Sequence, residues 1–277
     1  MIYYSIIVII IVLITIIFKF KDCSMISEFQ NYVLENIINF RNYIFTIHTV
    51  DIRDKYNNRI YIHYNTDIRD ENNNIININT FEKTEQDFAY KYIEPNDIVL
   101  ELGARYGSVS CIINCKLDNK TNQVSVEPDS NIWKALENNK KNNNCKFNIV
   151  KGFVSNKKLD LIKTDSSGKD LGYGVMSVEN NNSSIKSYTL EQIQKKYNLK
   201  FNVLVADCEG FLETFFDENP TIYDDLRLII FEADNSDKCN YDKIRNNLAS
   251  KNFINKEEGF LNGFQNVWIK NDNKCNK

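Results

Sequence analysis

A chain of 277 residues has room for one good-sized globular domain and an appendage. With 34 Lys and Arg against 37 Asp and Glu, its formal net charge of −3 leaves no basic surplus of the kind that marks a nucleic-acid-binding surface. Seven cysteines follow no paired or metal-ligand spacing, and the two histidines, His48 and His63, both lie early in the chain. No metal site is expected from that pattern, a disulfide framework is disfavoured, and a histidine general base in the later part of the chain is improbable.

Residues 2–18, IYYSIIVIIIVLITIIF, carry no charge, and thirteen of them are Ile, Leu, Val or Phe. At about 1.5 Å per residue they span roughly 25 Å, a little short of a hydrocarbon core of about 30 Å. At about −0.3 to −0.6 kcal/mol each, those side chains favour insertion by roughly −4 to −8 kcal/mol before end effects. A basic start and a small-residue cleavage site are both missing, which argues against a cleaved signal peptide. The expectation is a single-pass membrane anchor over residues 1–21, with Lys19 and Lys21 placing the rest of the chain in the cytoplasm. Residues 22–79 read as a connector. Ile26, Phe29, Val33, Ile37, Phe40 and Ile44 recur at helical spacing, Ser27 and Gln30 form a capping-box pattern, and 60–64 looks like a short strand before an Asn-rich loop over 72–79.

From Thr80 to the end, 80–277, strand and helix signals alternate. Helices are expected over 81–93, 109–117, 130–141, 188–197, 211–217 and 241–252. Strands are expected over 98–102, 123–126, 147–150, 201–206, 226–231 and 266–269. Repeated βα units imply a mostly parallel sheet with helices on both faces, and ligands of such sheets sit at the carboxyl ends of the strands.

Those ends are acidic. The first strand runs into a turn with two glycines, 98-IVLELGARYGSVS-110. The second ends in Glu127, the fourth in Asp207-Cys208-Glu209-Gly210 and the fifth in Glu232, while the third ends in Lys151-Gly152-Phe153. A carboxylate a little over twenty residues past a glycine turn is placed to accept hydrogen bonds from two ribose hydroxyls. By itself, Glu127-Pro128-Asp129 reads equally well as the start of a helix. A dinucleotide turn repeats Gly two residues on so that the backbone can approach a pyrophosphate. Here Arg105 takes that position, and Glu101 would repel a pyrophosphate while suiting an ammonium group.

The segments LELGARYGSVS, VSVEPDSNIW, SYTLEQIQ, VLVADCEGFLE and LIIFEAD, in this order over roughly residues 80–270, resemble FkbM-type methyltransferases of the class I S-adenosylmethionine-dependent group. The resemblance implies a Rossmann-like α/β fold whose seven-stranded sheet has an antiparallel last strand. It implies methyl transfer to a hydroxyl, often on a sugar, glycan or small-molecule scaffold. It puts Glu101, Gly103, Ala104, Gly107 and Ser110 around the methionyl end of S-adenosylmethionine, Glu127 on the ribose, and Gly152 and Phe153 near the adenine. Asp207, Glu209 and Gly210 match the acidic signature beside the transferring methyl group. Three positions depart from the family pattern: Arg105 stands for Asn, Val205 for Lys, and Leu212 for Glu. A carboxylate, Asp207 or Glu209, is the implied general base; equally, Asp207 could orient the cofactor amine only. The departures keep open a catalytically silent binding module tethered to a membrane, and a dinucleotide oxidoreductase is the more distant alternative.

Overall fold

The computed structural model describes residues 48–164, 167, 172, 174–259 and 265–271. The apolar run of 2–18 and the helical pattern of 26–44 lie outside the described residues. Among the described residues no helix is long and apolar enough to cross a membrane.

The compact unit begins at His48. A hairpin, β1 (Thr49–Arg53) and β2 (Arg59–His63), opens it. The chain continues through α1 (Lys83–Tyr92), β3 (Val99–Leu102), α2 (Ser108–Lys116), β4 (Gln123–Glu127), α3 (Trp133–Asn142) and β5 (Asn148–Lys151). Four short strands follow: β6 (Phe153–Val154), β7 (Leu159–Ile162), β8 (Met176–Glu179) and β9 (Ser187–Tyr188). The remainder is α4 (Leu190–Tyr197), β10 (Val203–Ala206), α5 (Leu212–Glu218), α6 (Ile222–Asp225), β11 (Leu228–Glu232), α7 (Tyr241–Ser250), β12 (Phe253–Glu258) and β13 (Gln265–Lys270).

Seven strands form one sheet in the order β12-β13-β11-β10-β3-β4-β5. The five from β11 to β5 are parallel, and β13 runs antiparallel between β11 and β12. This is a Rossmann-like, mostly parallel sheet, with the reversed strand inserted one place from the edge. The central strands are buried end to end because both faces are covered, as parallel sheets require. Alternation along the strands separates two cores. Leu100, Leu102, Val124, Val126, Leu204 and Ile229 pack with residues of α4, α5 and α7. Val99, Val203, Val205, Leu228 and Ile230 pack with residues of α1, α2 and α3.

The expected boundary between residues 79 and 80 falls inside this unit. Val50, Ile52, Tyr64, Ile68, Ile76 and Ile78 belong to the second core, and the Tyr64 hydroxyl donates to the Ser108 carbonyl at 2.8 Å. The helix α4 carries the full reciprocal capping box between Thr189 and Gln192. Two features went unread in the sequence. β12, FINKEE, is an edge strand whose only buried residue is Phe253, so it has no apolar alternation to reveal it. The strands β6 to β9 are two to four residues long and largely half-exposed.

Candidate active site

The site is built at the carboxyl ends of β3, β4, β5 and β10, where the connections to the following elements part and leave a cleft of about 740 Å³. Its charged lining is Glu127, Asp129, Asp207 and Glu209 against Arg105. Val126, Phe153, Val154, Leu161, Val175 and Phe211 supply an apolar wall.

Glu127 is the last residue of β4 and is 6% exposed. Its Oε2 accepts the Arg105 backbone N–H at 2.8 Å and its Oε1 accepts the Asp129 backbone N–H at 2.7 Å. Each oxygen keeps a second lone pair, so the carboxylate is fixed in orientation without being used up. Burial pushes its pKa up to about 7, against the lowering effect of those two N–H groups. Asp129 is paired with Lys163 at 2.6 Å.

The glycine turn is held by backbone contacts between neighbouring strands. The N–H groups of Gly103 and Ala104 both donate to the Val126 carbonyl, and the Asp207 N–H donates to the Leu102 carbonyl at 3.0 Å. A Cβ on Gly103 would lie 1.6 Å from the Asp207 carbonyl oxygen, so only glycine lets the two strand-end loops touch. Gly103, Glu127, Gly152, Phe153, Asp207 and Glu209 line the cleft. Ala104, Gly107 and Ser110 do not. Ala104 is in the second core, Gly107 faces the Leu136 side chain, and Ser110 is buried on α2.

Glu101 lies between these groups. It is 2% exposed, and its Oε2 accepts from Ser110 Oγ at 2.6 Å, Ser125 Oγ at 2.5 Å and Gln123 Nε2 at 3.4 Å. It opens on a second, smaller space of about 320 Å³ behind Gly103, shared with Glu82, Glu85, Asp207 and Glu232. Leu102, Gly103 and Asp207 line both spaces. Burial raises Glu85 and Glu101 to about 7 and Glu82 to about 8.

Two carboxyl pairs stand beside the cleft. Asp207 stands beside Glu232, and Glu209 beside Asp234. Burial and the neighbouring carboxylates raise Asp207, Glu209 and Glu232 above the usual carboxylate range. Asp234 also accepts from the Gly210 N–H at 3.1 Å and the Tyr241 hydroxyl at 3.0 Å, while Asn235 Nδ2 donates to Glu209 at 2.6 Å. One carboxylate oxygen from each of Asp207, Glu209 and Asp234 lies within 4.8 Å of the others, a spacing that could hold a hard cation.

Backbone strain concentrates here. Nine described non-glycine residues have positive φ, and six are Asn, which tolerates it. The other three are Glu82, Arg105 and Glu209, each lining the cleft or the acidic space behind it. Such strain, on the order of 1–3 kcal/mol per residue, persists where surrounding structure imposes it and clusters at functional sites.

The sequence did not single out Asp234, Asn235, Glu82, Glu85 or the β7–β8 wall. Asp234 and Asn235 follow β11 within three residues, so a wider window at that strand end would have caught them. Nothing in the residues 159–179 marks Leu161, Val175 and Ser177 as cleft wall.

The raised carboxyls carry a pH signature. Glu85, Glu101 and Glu127 bind a proton more tightly in the folded chain, at about 7, than at their usual value of 4.5. The stabilisation this gives is fully present below about 4.5 and is lost as pH rises through about 7. The ligand-free protein is expected to melt several degrees lower at about pH 8 than at about pH 5. A melting temperature that rises over that interval, followed by calorimetry, would contradict the buried-acid reading.

No family model matches the sequence, and no curated protein matches it. Solved structures resemble it in fold. A precorrin-6y C5,15-methyltransferase from Geobacter metallireducens is 12% identical, with 68% of this chain and 87% of that chain covered and a TM-score of 0.41. A ribosomal protein L11 methylase from Lactobacillus delbrueckii subsp. bulgaricus is 13% identical, covering 80% and 94%, with a TM-score of 0.44. An O-methyltransferase from Bacillus cereus in complex with SAH is 13% identical, covering 69% and 81%, with a TM-score of 0.42. Likeness of this degree says nothing about substrate.

Proposed function

We propose that this chain is an S-adenosylmethionine-dependent methyltransferase acting on a hydroxyl of a sugar, glycan or small-molecule acceptor. The observation that carries the reading is Glu127: a carboxylate fixed by two backbone N–H groups at the end of β4, aimed at a cleft whose other charges are mostly acidic. A dinucleotide would bring a pyrophosphate into repulsion with Asp207, Glu209 and Glu101. A cationic, zwitterionic ligand meets the opposite situation.

The residues fit such a group in three ways. Glu127 has lone pairs for two ribose hydroxyls. Phe153, Val154 and Leu161 form an apolar surface suited to a purine. Glu82, Glu85 and Glu101 provide negative charge for an ammonium in the space behind Gly103. When bound, the cofactor supplies an electrophilic methyl group to an acceptor oxygen. The protein's part is to align that oxygen and take its proton. A cation among the carboxyls favours their ionised forms, so Asp207 or Glu209 releases its proton to solvent and becomes able to accept one. The raised affinity of these groups for protons makes them stronger bases than an ordinary carboxylate.

A membrane tether through residues 2–18 completes the proposal, on the hydropathy of that run, with the catalytic unit facing the cytoplasm. The test is incubation of the full chain with methyl-labelled S-adenosylmethionine and fractionated glycans, lipids and small molecules. Label is expected in an acceptor fraction. Absence of binding to S-adenosylmethionine, with nicotinamide dinucleotides raising thermal stability instead, would reject the reading.

A further inference from the structure

Away from the cleft, two free cysteines meet. Cys111 lies on α2 and is 5% exposed, and Cys145 lies in the connection from α3 to β5 and is half-buried. Their sulfurs are 3.1 Å apart, closer than ordinary non-bonded contact between two sulfurs. The two backbones are already tied at this point. Asn114 of α2 accepts the Lys146 N–H at 2.9 Å, and the Cys145 N–H donates to the Lys140 carbonyl at 2.9 Å. Forming the bond requires the two sulfurs to close by only about 1 Å.

The pair is also reachable. An opening of about 590 Å³ is lined by Cys111, Cys115 and Cys145, with Lys120 and Asn144 at its side. We propose that Cys111 and Cys145 form an oxidisable dithiol site that takes a hydroperoxide and closes to an intramolecular disulfide. This holds whether or not the cleft binds S-adenosylmethionine.

The roles of the two thiols differ. Contact with Cys111 and the charges of Lys140 and Lys120 lower the Cys145 thiol below its usual value, whereas the same contact and burial raise Cys111. Cys145 is the attacking thiolate. Its sulfur forms an S–O bond with the distal oxygen of the hydroperoxide as the O–O bond breaks. The leaving alkoxide or hydroxide takes a proton, and Cys145 becomes a sulfenic acid. The Cys111 sulfur then attacks the Cys145 sulfur. The S–S bond forms, the S–O bond breaks, and the departing hydroxide leaves as water with the Cys111 proton. Two electrons pass from the thiols to the peroxide, and a dithiol reductant reverses the change. The link joins α2, which follows the glycine turn and carries Ser110 under Glu101, to the connection that enters β5 and so leads to Gly152.

The test treats the native full chain with hydrogen peroxide, blocks remaining thiols by alkylation, and maps peptides without reduction. A Cys111–Cys145 cross-linked peptide is expected, lost after dithiothreitol and absent in Cys145→Ser. The oxidised protein should melt about 5 °C or more above the reduced form, because the link closes a loop of roughly 35 residues. Cys115→Ser, at an exposed position, should fold and keep the cross-link. Alkylated Cys111 and Cys145 after oxidant, Cys145 carried to sulfinic acid with Cys111 free, or a cross-link through Cys115 would each overturn the proposal.

Discussion

Gly103→Ala is expected to destabilise the fold by about 2–5 kcal/mol and to lower its melting temperature by about 5–15 °C. The added carbon would stand 1.6 Å from the Asp207 carbonyl oxygen and 2.8 Å from its carbonyl carbon, with φ at +87°. Both obstacles are backbone, so relief demands that the β3 and β10 loops separate. That separation would move Asp207 away from Glu127 and open the floor of the cleft. Gly107 offers the comparison. Its added carbon would meet the Leu136 Cδ1 atom at 2.9 Å, the mobile end of a side chain, at φ +83°. Gly107→Ala is therefore expected to cost about 1–2 kcal/mol and to leave the cleft intact. Thermal melts of the two variants check the order. Equal losses would mean that loop contact is not what selects glycine at Gly103.

Asp207→Asn is expected to reduce turnover by roughly 10²-fold or more, the usual range for loss of a general base, while S-adenosylmethionine affinity changes less. Asn keeps the size and the ability to donate to Glu232, so the fold should be unaffected. Wild-type activity should rise as pH passes the raised pKa of the pair, and the variant should lose that limb. Near-normal turnover would remove Asp207 from proton transfer and leave Glu209, whose pairing with Asp234 gives it the same kind of elevated proton affinity.

What the sequence revealed and concealed follows from burial. The strands β10 and β11 are nearly continuous apolar runs and β3 and β4 are buried throughout because helices cover both faces, and their ends were legible to within about two residues. Glu127 was legible because it closes the second strand a little over twenty residues past the glycine turn, where a carboxylate can reach a ribose. Glu101 was legible because it sits at the edge of the glycine turn, but its hydrogen bonds to Ser110, Ser125 and Gln123 come from α2 and β4, which no local pattern joins. Gly107 belongs to the same turn as Gly103 in sequence, yet one contacts core and the other the rim of the cleft. A two-glycine motif cannot separate those duties. Residues 48–79 looked like a connector because their buried residues, such as Ile68 and Ile76, are scattered among Asp and Asn. They enter the core as single anchors from loops, not as a periodic face. Asp234 and Asn235 stand beyond the strand end, where a loop's return path decides what it reaches.

The central claim is that Glu127 grips the ribose of S-adenosylmethionine, and calorimetric titration of the wild-type chain and Glu127→Ala at about pH 8, where the carboxylate is ionised, tests it most directly. Charge-assisted hydrogen bonds are worth roughly 1.5–3 kcal/mol each, and water entering the gap recovers part of that. A net loss of about 2 kcal/mol is expected, or roughly thirty-fold weaker binding at about 1.4 kcal/mol per decade. Wild-type binding with unchanged affinity in Glu127→Ala would contradict the ribose assignment and, with it, the placement of the cofactor in this cleft.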